Sequence, residues 1–144
     1  MKTTGILPAG MLALCGCAGS GPMSTEERLG LYVSHSTPVD SFRITELQGR
    51  VIRWSPLGDQ ALTVWGESDQ PYLLQLPGKC SGLATTRSVA LTNASGVVTP
   101  GKDSVQLKGP SKAGSAYHCR IGTARLIDMS AVEKARDGGA DNSP

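Results

Sequence analysis

Ala61-Leu62-Thr63-Val64-Trp65 and Tyr72-Leu73-Leu74-Gln75-Leu76, separated by Gly66-Glu67-Ser68-Asp69-Gln70-Pro71, decide how this chain folds. Each arm is a short run of apolar, β-branched and aromatic residues, a composition that fits a pleated and largely buried surface. The residues between the arms are polar and include Gly and Pro, the chemistry of a connecting turn. Together they predict a β-hairpin over 61–65 and 72–76.

Further strands flank this hairpin on both sides. Phe42 and Ile44 alternate with Arg43 and Thr45, and Ile52 and Trp54 alternate with Val51 and Arg53, the period-two pattern of half-buried strands. Ser55, Pro56, Gly58 and Asp59 then punctuate the chain before the hairpin. Downstream, strands are expected at 88–92, at 104–108 and at 117–121 with a continuation to Ile127, broken by Asn93-Ala94-Ser95-Gly96 and Gly109-Pro110. Short strands at this spacing predict a mainly β domain, a small antiparallel β-roll or barrel-like sheet.

Two helices frame the strands. Ser24 with Glu27 forms a capping box, and Leu29, Tyr32 and Val33 share one helical face, so a short N-terminal helix is expected over 24–35. Gly30 inside it costs about 1 kcal/mol relative to Ala, and Pro38 argues against continuation. Ser130 with Glu133 repeats the capping pattern, and Gly138 can end a short C-terminal helix.

The N-terminus reads as a targeting segment. Lys2 supplies a positive charge, and the apolar stretch over 6–14 is too short to span a hydrocarbon core of roughly 30 Å as a helix, which is the pattern of a signal-peptide core. Leu14-Cys15-Gly16-Cys17 follows it and resembles the lipobox of bacterial lipoprotein precursors. That resemblance implies a diacylglycerol thioether on Cys17, removal of residues 1–16 and acylation of the freed amine. Several chains anchor firmly, because each buried methylene contributes about 0.8 kcal/mol and one chain alone binds only marginally. Ala18, rather than Asp, in the second mature position implies an outer-membrane destination facing the periplasm. The alternative is an ordinary secretory signal cut near Gly16-Cys17-Ala18, releasing a soluble periplasmic or secreted protein.

The chain divides accordingly into a lipoprotein signal peptide (1–16), the lipidated cysteine and a flexible Gly-Ser-Gly-Pro tether (17–23), one β-rich domain (24–136) and a polar tail expected to be disordered (137–144). Removing residues 1–16 from 144 leaves 128, a common size for one domain. Without Lys2, 13 Lys and Arg face 12 Asp and Glu, a balance with no nucleic-acid footprint.

Cys15 leaves with the signal and Cys17 carries lipid, so Cys80 and Cys119 are the remaining thiols. In an oxidising periplasm such a pair is expected to form a disulfide, closing a loop of about 40 residues and stabilising the domain by about 4 kcal/mol in the chain-entropy view. The alternative is a redox or nucleophilic site using His118 as base, but neighbours on a strand point to opposite faces.

The succession Trp54, Leu57-Gly58-Asp59, Tyr72-Leu73-Leu74-Gln75-Leu76, Cys80, Cys119-Arg120-Ile121 and Ile127-Asp128 resembles a family of uncharacterised Gram-negative bacterial lipoproteins, over about two thirds of the chain. The resemblance implies export, the cysteine pair and a single β-rich domain, and transfers no catalytic residue.

Other chemistry is sparse. The sequence has no Gly-x-Ser-x-Gly, Ser-x-x-Lys, His-Glu-x-x-His, Cys-x-x-Cys or phosphate-loop pattern. With only His35 and His118 and no ligand spacing, neither a metal nor another cofactor is expected. Trp54, Trp65, Tyr72 and Tyr117 could line a groove, though core and edge packing is the simpler role. Arg43, Arg50, Arg53, Arg120 and Arg125 would share a basic strip if the first and last strands pair; otherwise they are solvated strand residues.

The expected function is therefore a binding or structural accessory module of the cell envelope, held to the membrane by its lipid and meeting an envelope protein or glycan. The rivals are a small envelope hydrolase with a hidden acid or histidine pair, and an inhibitor of an envelope enzyme. An exposed β edge would favour binding by strand addition.

Overall fold

The computed structural model describes residues 23–44, 46–47, 50–91, 95–108 and 117–140. In chain order the elements are α1 (Thr25–Ser34), β1 (Ser36–Val39), β2 (Phe42–Arg43), β3 (Glu46–Leu47), β4 (Arg50–Val51), β5 (Trp54–Pro56), β6 (Ala61–Trp65), β7 (Pro71–Gln75), β8 (Ser88–Leu91), β9 (Val97–Val98), β10 (Ser104–Lys108), β11 (Tyr117–Arg120), β12 (Thr123–Ile127) and α2 (Met129–Ala140). The fold is mainly antiparallel β, with one helix before the strands and one after them.

The predicted hairpin is β6 and β7, paired with Leu62 opposite Leu74 and Val64 opposite Tyr72. It forms the middle of a five-stranded sheet ordered β1-β12-β7-β6-β5, which brings the first and last strands together and ends at β1 and β5 without closing into a barrel. Its turn differs from the usual Asn-Gly type. Ser68 and Asp69 both have φ of 59°, and the Gln70 N–H donates to the Glu67 carbonyl at 3.3 Å. Two consecutive left-handed residues match the right-handed twist of the strands, at some steric cost because neither is glycine.

Ala61, Leu62, Thr63 and Val64 are all buried because the sheet is covered on both faces. Leu62, Val64, Leu74 and Ala124 point into the main core, with Val89, Leu91, Val98, Val105, Leu107 and Ile121. That second layer comprises the β11-β10-β8 sheet and two smaller strand pairs, β2-β9 and β3-β4. On the opposite face, Ala61, Leu73 and Ile127 meet Val132 of α2 and the half-buried Leu29, Leu31, Tyr32 and Val33 of α1.

Three local expectations change. Ile52 is 61% exposed while Val51 is buried, the reverse of the predicted alternation. The chain bends at Ile52 and Arg53 between β4 and β5, and that bend breaks the period-two pattern. The stretch 117–127 is two strands in different sheets, parted at Ile121-Gly122. Gly122 permits the crossing: its N–H donates to the Gln75 carbonyl at 2.9 Å, and a Cβ there would sit 3.2 Å from that oxygen and 3.3 Å from Pro77 Cδ.

The third change concerns α2. Asp128, not Ser130, caps it, its Oδ1 accepting the Ala131 N–H at 3.1 Å. The helix runs past Gly138 to Ala140, so residues 137–140 of the expected tail are helical. At α1 the capping box forms as expected, with the Glu27 N–H donating to Ser24 Oγ at 3.1 Å.

Cys80 and Cys119 are joined, with Cα atoms 5.8 Å apart. Cys80 is fully buried in the loop after β7, and Cys119 lies on β11, so the bridge staples the two β layers together.

Candidate functional site

Where α1 runs into β1 and β12 runs into α2, the chain leaves a surface groove of about 680 Å³. Its wall is drawn from the 34–37 corner, the 126–131 corner and the hairpin residues Asp69, Gln70 and Pro71. The two corners meet because β1 and β12 pair, Ser36 opposite Ile127, and because the Asp128 N–H donates to the His35 carbonyl at 2.8 Å. A volume of this size lies within the range of small-molecule and short-peptide sites.

Most polar groups in the groove already hold the backbone. The Ser34 hydroxyl donates to the Gly30 carbonyl at 2.9 Å, and the Ser36 hydroxyl donates to the Val33 carbonyl at 3.0 Å. Ser36 Oγ also accepts from Arg125 Nε at 2.8 Å, and Arg125 Nη2 donates to the Ser36 carbonyl at 3.1 Å. Asp128 is occupied as the α2 cap, and Asp69 pairs with Arg53 Nη1 at 3.1 Å. The His35 ring, the Gln70 amide and the Thr37 and Ser130 hydroxyls remain to meet a ligand. This set can donate and accept hydrogen bonds. A serine whose hydroxyl proton is given to a carbonyl is not a poised nucleophile.

His35, which shows no ligand spacing in the sequence, is the C-cap of α1 and lines the groove. The capping box at Ser24 and the stop at Pro38 locate the helix end near it, but its juxtaposition with Asp128 spans most of the chain and has no local signature. His118 is exposed on β11 opposite Gln106, away from the disulfide sulfur on the next residue's face. Among the described residues no three His, Cys, Asp or Glu side chains could hold a metal ion.

The other sequence candidates disperse. Although the first and last strands do pair, the arginines lie on different sheets: Arg43 on β2, Arg50 on β4, Arg120 on β11 and Arg125 on β12. Arg53 stacks over the Trp65 ring at 4.3 Å from its centroid. Tyr72 stacks on Phe42 with ring centroids 4.3 Å apart, and Trp54 packs against the main core. These aromatics are structural.

The edges of the large sheet are β1 and β5, and each contains a proline, Pro38 and Pro56. Proline offers no amide N–H to an incoming strand, so these edges resist strand addition. Cys17 lies outside the described residues. Among those described, no helix is long and apolar enough to cross a membrane.

No curated protein and no solved structure matches the chain. The model of a family of unknown function, DUF6491, matches residues 1–142, essentially the entire sequence, and the chain belongs to that family.

Proposed function

We propose that this chain is a lipid-anchored protein of the bacterial envelope, cut before Cys17, and that its β domain acts by binding a partner at the groove beside His35. The observation that carries the anchor is the order of the N-terminal residues: Lys2, the apolar 6–14 stretch, then Leu14-Cys15-Gly16-Cys17. The Cys80–Cys119 bridge supports an oxidising compartment. Ala18 favours the outer membrane as destination.

Binding is preferred to catalysis because Ser34, Ser36, Asp69 and Asp128 already have protein partners, leaving a few polar groups in the recess to meet a ligand. Anchoring raises the local concentration of the domain over envelope partners, so a weak face is sufficient. The proline-bearing edges of the large sheet favour the groove over strand addition there.

Intact-mass analysis of the processed protein tests the anchor. The expected result is a chain beginning at Cys17 with added lipid mass, lost on Cys17→Ala; a chain of unmodified mass refutes the anchor. Crosslinking from Gln70→Cys in the native envelope tests the groove. A reproducible envelope protein or glycan is expected, and hydrolysis of an envelope polymer that is lost on His35→Ala would establish the enzyme reading instead.

A further inference from the structure

A second recess, of about 220 Å³, lies between the helices and is lined by Met23, Arg28, Leu31, Tyr32 and Arg136. Arg28, Leu31 and Tyr32 stand one helical turn apart on a single face of α1, and Arg136 reaches the recess from α2. Neither arginine makes an ion pair among the described residues. The neighbouring Glu27 carboxylate accepts from the Ser24 hydroxyl at 3.2 Å. Two guanidinium groups beside Met, Leu and Tyr side chains form an amphipathic set, cationic where a phosphate would sit and apolar beside it.

The position of the recess selects its ligand. Met23 is six residues from Cys17, a distance that extended chain spans with at most about 22 Å and flexible chain with about 14 Å. An anchored chain therefore keeps this end of the domain within reach of the lipid headgroups. We infer that Arg28 and Arg136 bind the phosphate of an anionic phospholipid headgroup, docking the Met23 end of the helix pair against the membrane. The inference rests on the lipid-anchor reading. It adds an orientation: the groove at His35 belongs to the opposite end of α1 and is held away from the bilayer.

The test uses the full processed lipidated chain in vesicles of phosphatidylcholine, with or without phosphatidylglycerol. Flotation with both vesicle types reports the anchor by itself, and a chain that floats with neither overturns the anchor and the docking together. Docking is read by amide hydrogen exchange over α1 and α2. Exchange is expected to slow in the anionic vesicles, and the difference to shrink by about fivefold per arginine in Arg28→Gln and Arg136→Gln, the effect of one basic side chain near an anionic surface. Arg43→Gln, on β2, should leave the difference intact. Equal exchange in the two vesicle types, with flotation retained, overturns the docking alone. Protection produced by inorganic phosphate in phosphatidylcholine vesicles also overturns it, because the recess would then be a free-anion site.

Discussion

Removing the Cys80–Cys119 bridge by the double substitution Cys80→Ala/Cys119→Ala should destabilise the domain by about 5 kcal/mol. The larger part is chain entropy: a cross-link at a sequence separation of 39 restricts the unfolded ensemble by about 4 kcal/mol. Roughly 1 kcal/mol more comes from deleting the sulfur of Cys80, which is fully buried in the main core. Domains of this kind are stable by about 5–15 kcal/mol, so the variant should sit near its unfolding midpoint or retain a reduced margin. Urea unfolding followed by the fluorescence of Trp54 and Trp65 measures the change, with the unreduced parent as reference. The denaturant slope should also rise, because an unlinked chain exposes more surface when unfolded. A midpoint and slope unchanged from the parent would falsify the assignment of the bridge to loop closure. So would a fully unfolded variant of a parent shown to be stable by more than about 8 kcal/mol, since the loss would exceed what closure and one buried sulfur supply.

Thr63 is 2% exposed and its hydroxyl has no hydrogen-bond partner, so Thr63→Val should stabilise by about 1 kcal/mol in thermal unfolding. Gly30 and Gly66 should respond oppositely to alanine. At exposed Gly30 a Cβ meets nothing within 4 Å, so Gly30→Ala should stabilise by about 0.5–1 kcal/mol; at Gly66 it collides with the Arg43 carbonyl and lies 3.0 Å from the Tyr72 ring, so Gly66→Ala should cost about 1–3 kcal/mol. Asp128→Ala removes the α2 cap and should cost about 1 kcal/mol, with faster hydrogen exchange in the first turn of that helix.

Much of the fold is legible locally, and the exceptions have local causes. The hairpin is visible because its arms are apolar in both phases, and α1 because Ser24 and Glu27 supply the cap that its first turn lacks. Ile52 misleads because alternation assumes an unbroken strand, and a bend at two residues reverses which side chain turns inward. Ser130 misleads because the helix starts two residues earlier, where Asp128 takes the Ala131 N–H on its side chain and the Val132 N–H on its carbonyl, which leaves Ser130 inside the first turn. The crossing at Gly122 is invisible because both halves of 117–127 have strand composition, and the crowding of a Cβ there by the Gln75 carbonyl and Pro77 arises only in the folded chain.

Sequence alone determined the β class, the two helices, the cysteine pair and the N-terminal pattern ending at Cys17. Each rests on residues close in the chain or on a count of thiols, and short-range sterics and hydrogen bonding act on such features wherever they lie. Tertiary structure alone decided which faces of the central sheet are covered, how the arginines disperse and which polar groups surround His35. Those outcomes depend on β12 settling between β1 and β7, a long-range pairing whose register is set by the mutual burial of Ile127, Leu73 and Val132. It also brought Arg136 beside Arg28, which no spacing in the sequence announces.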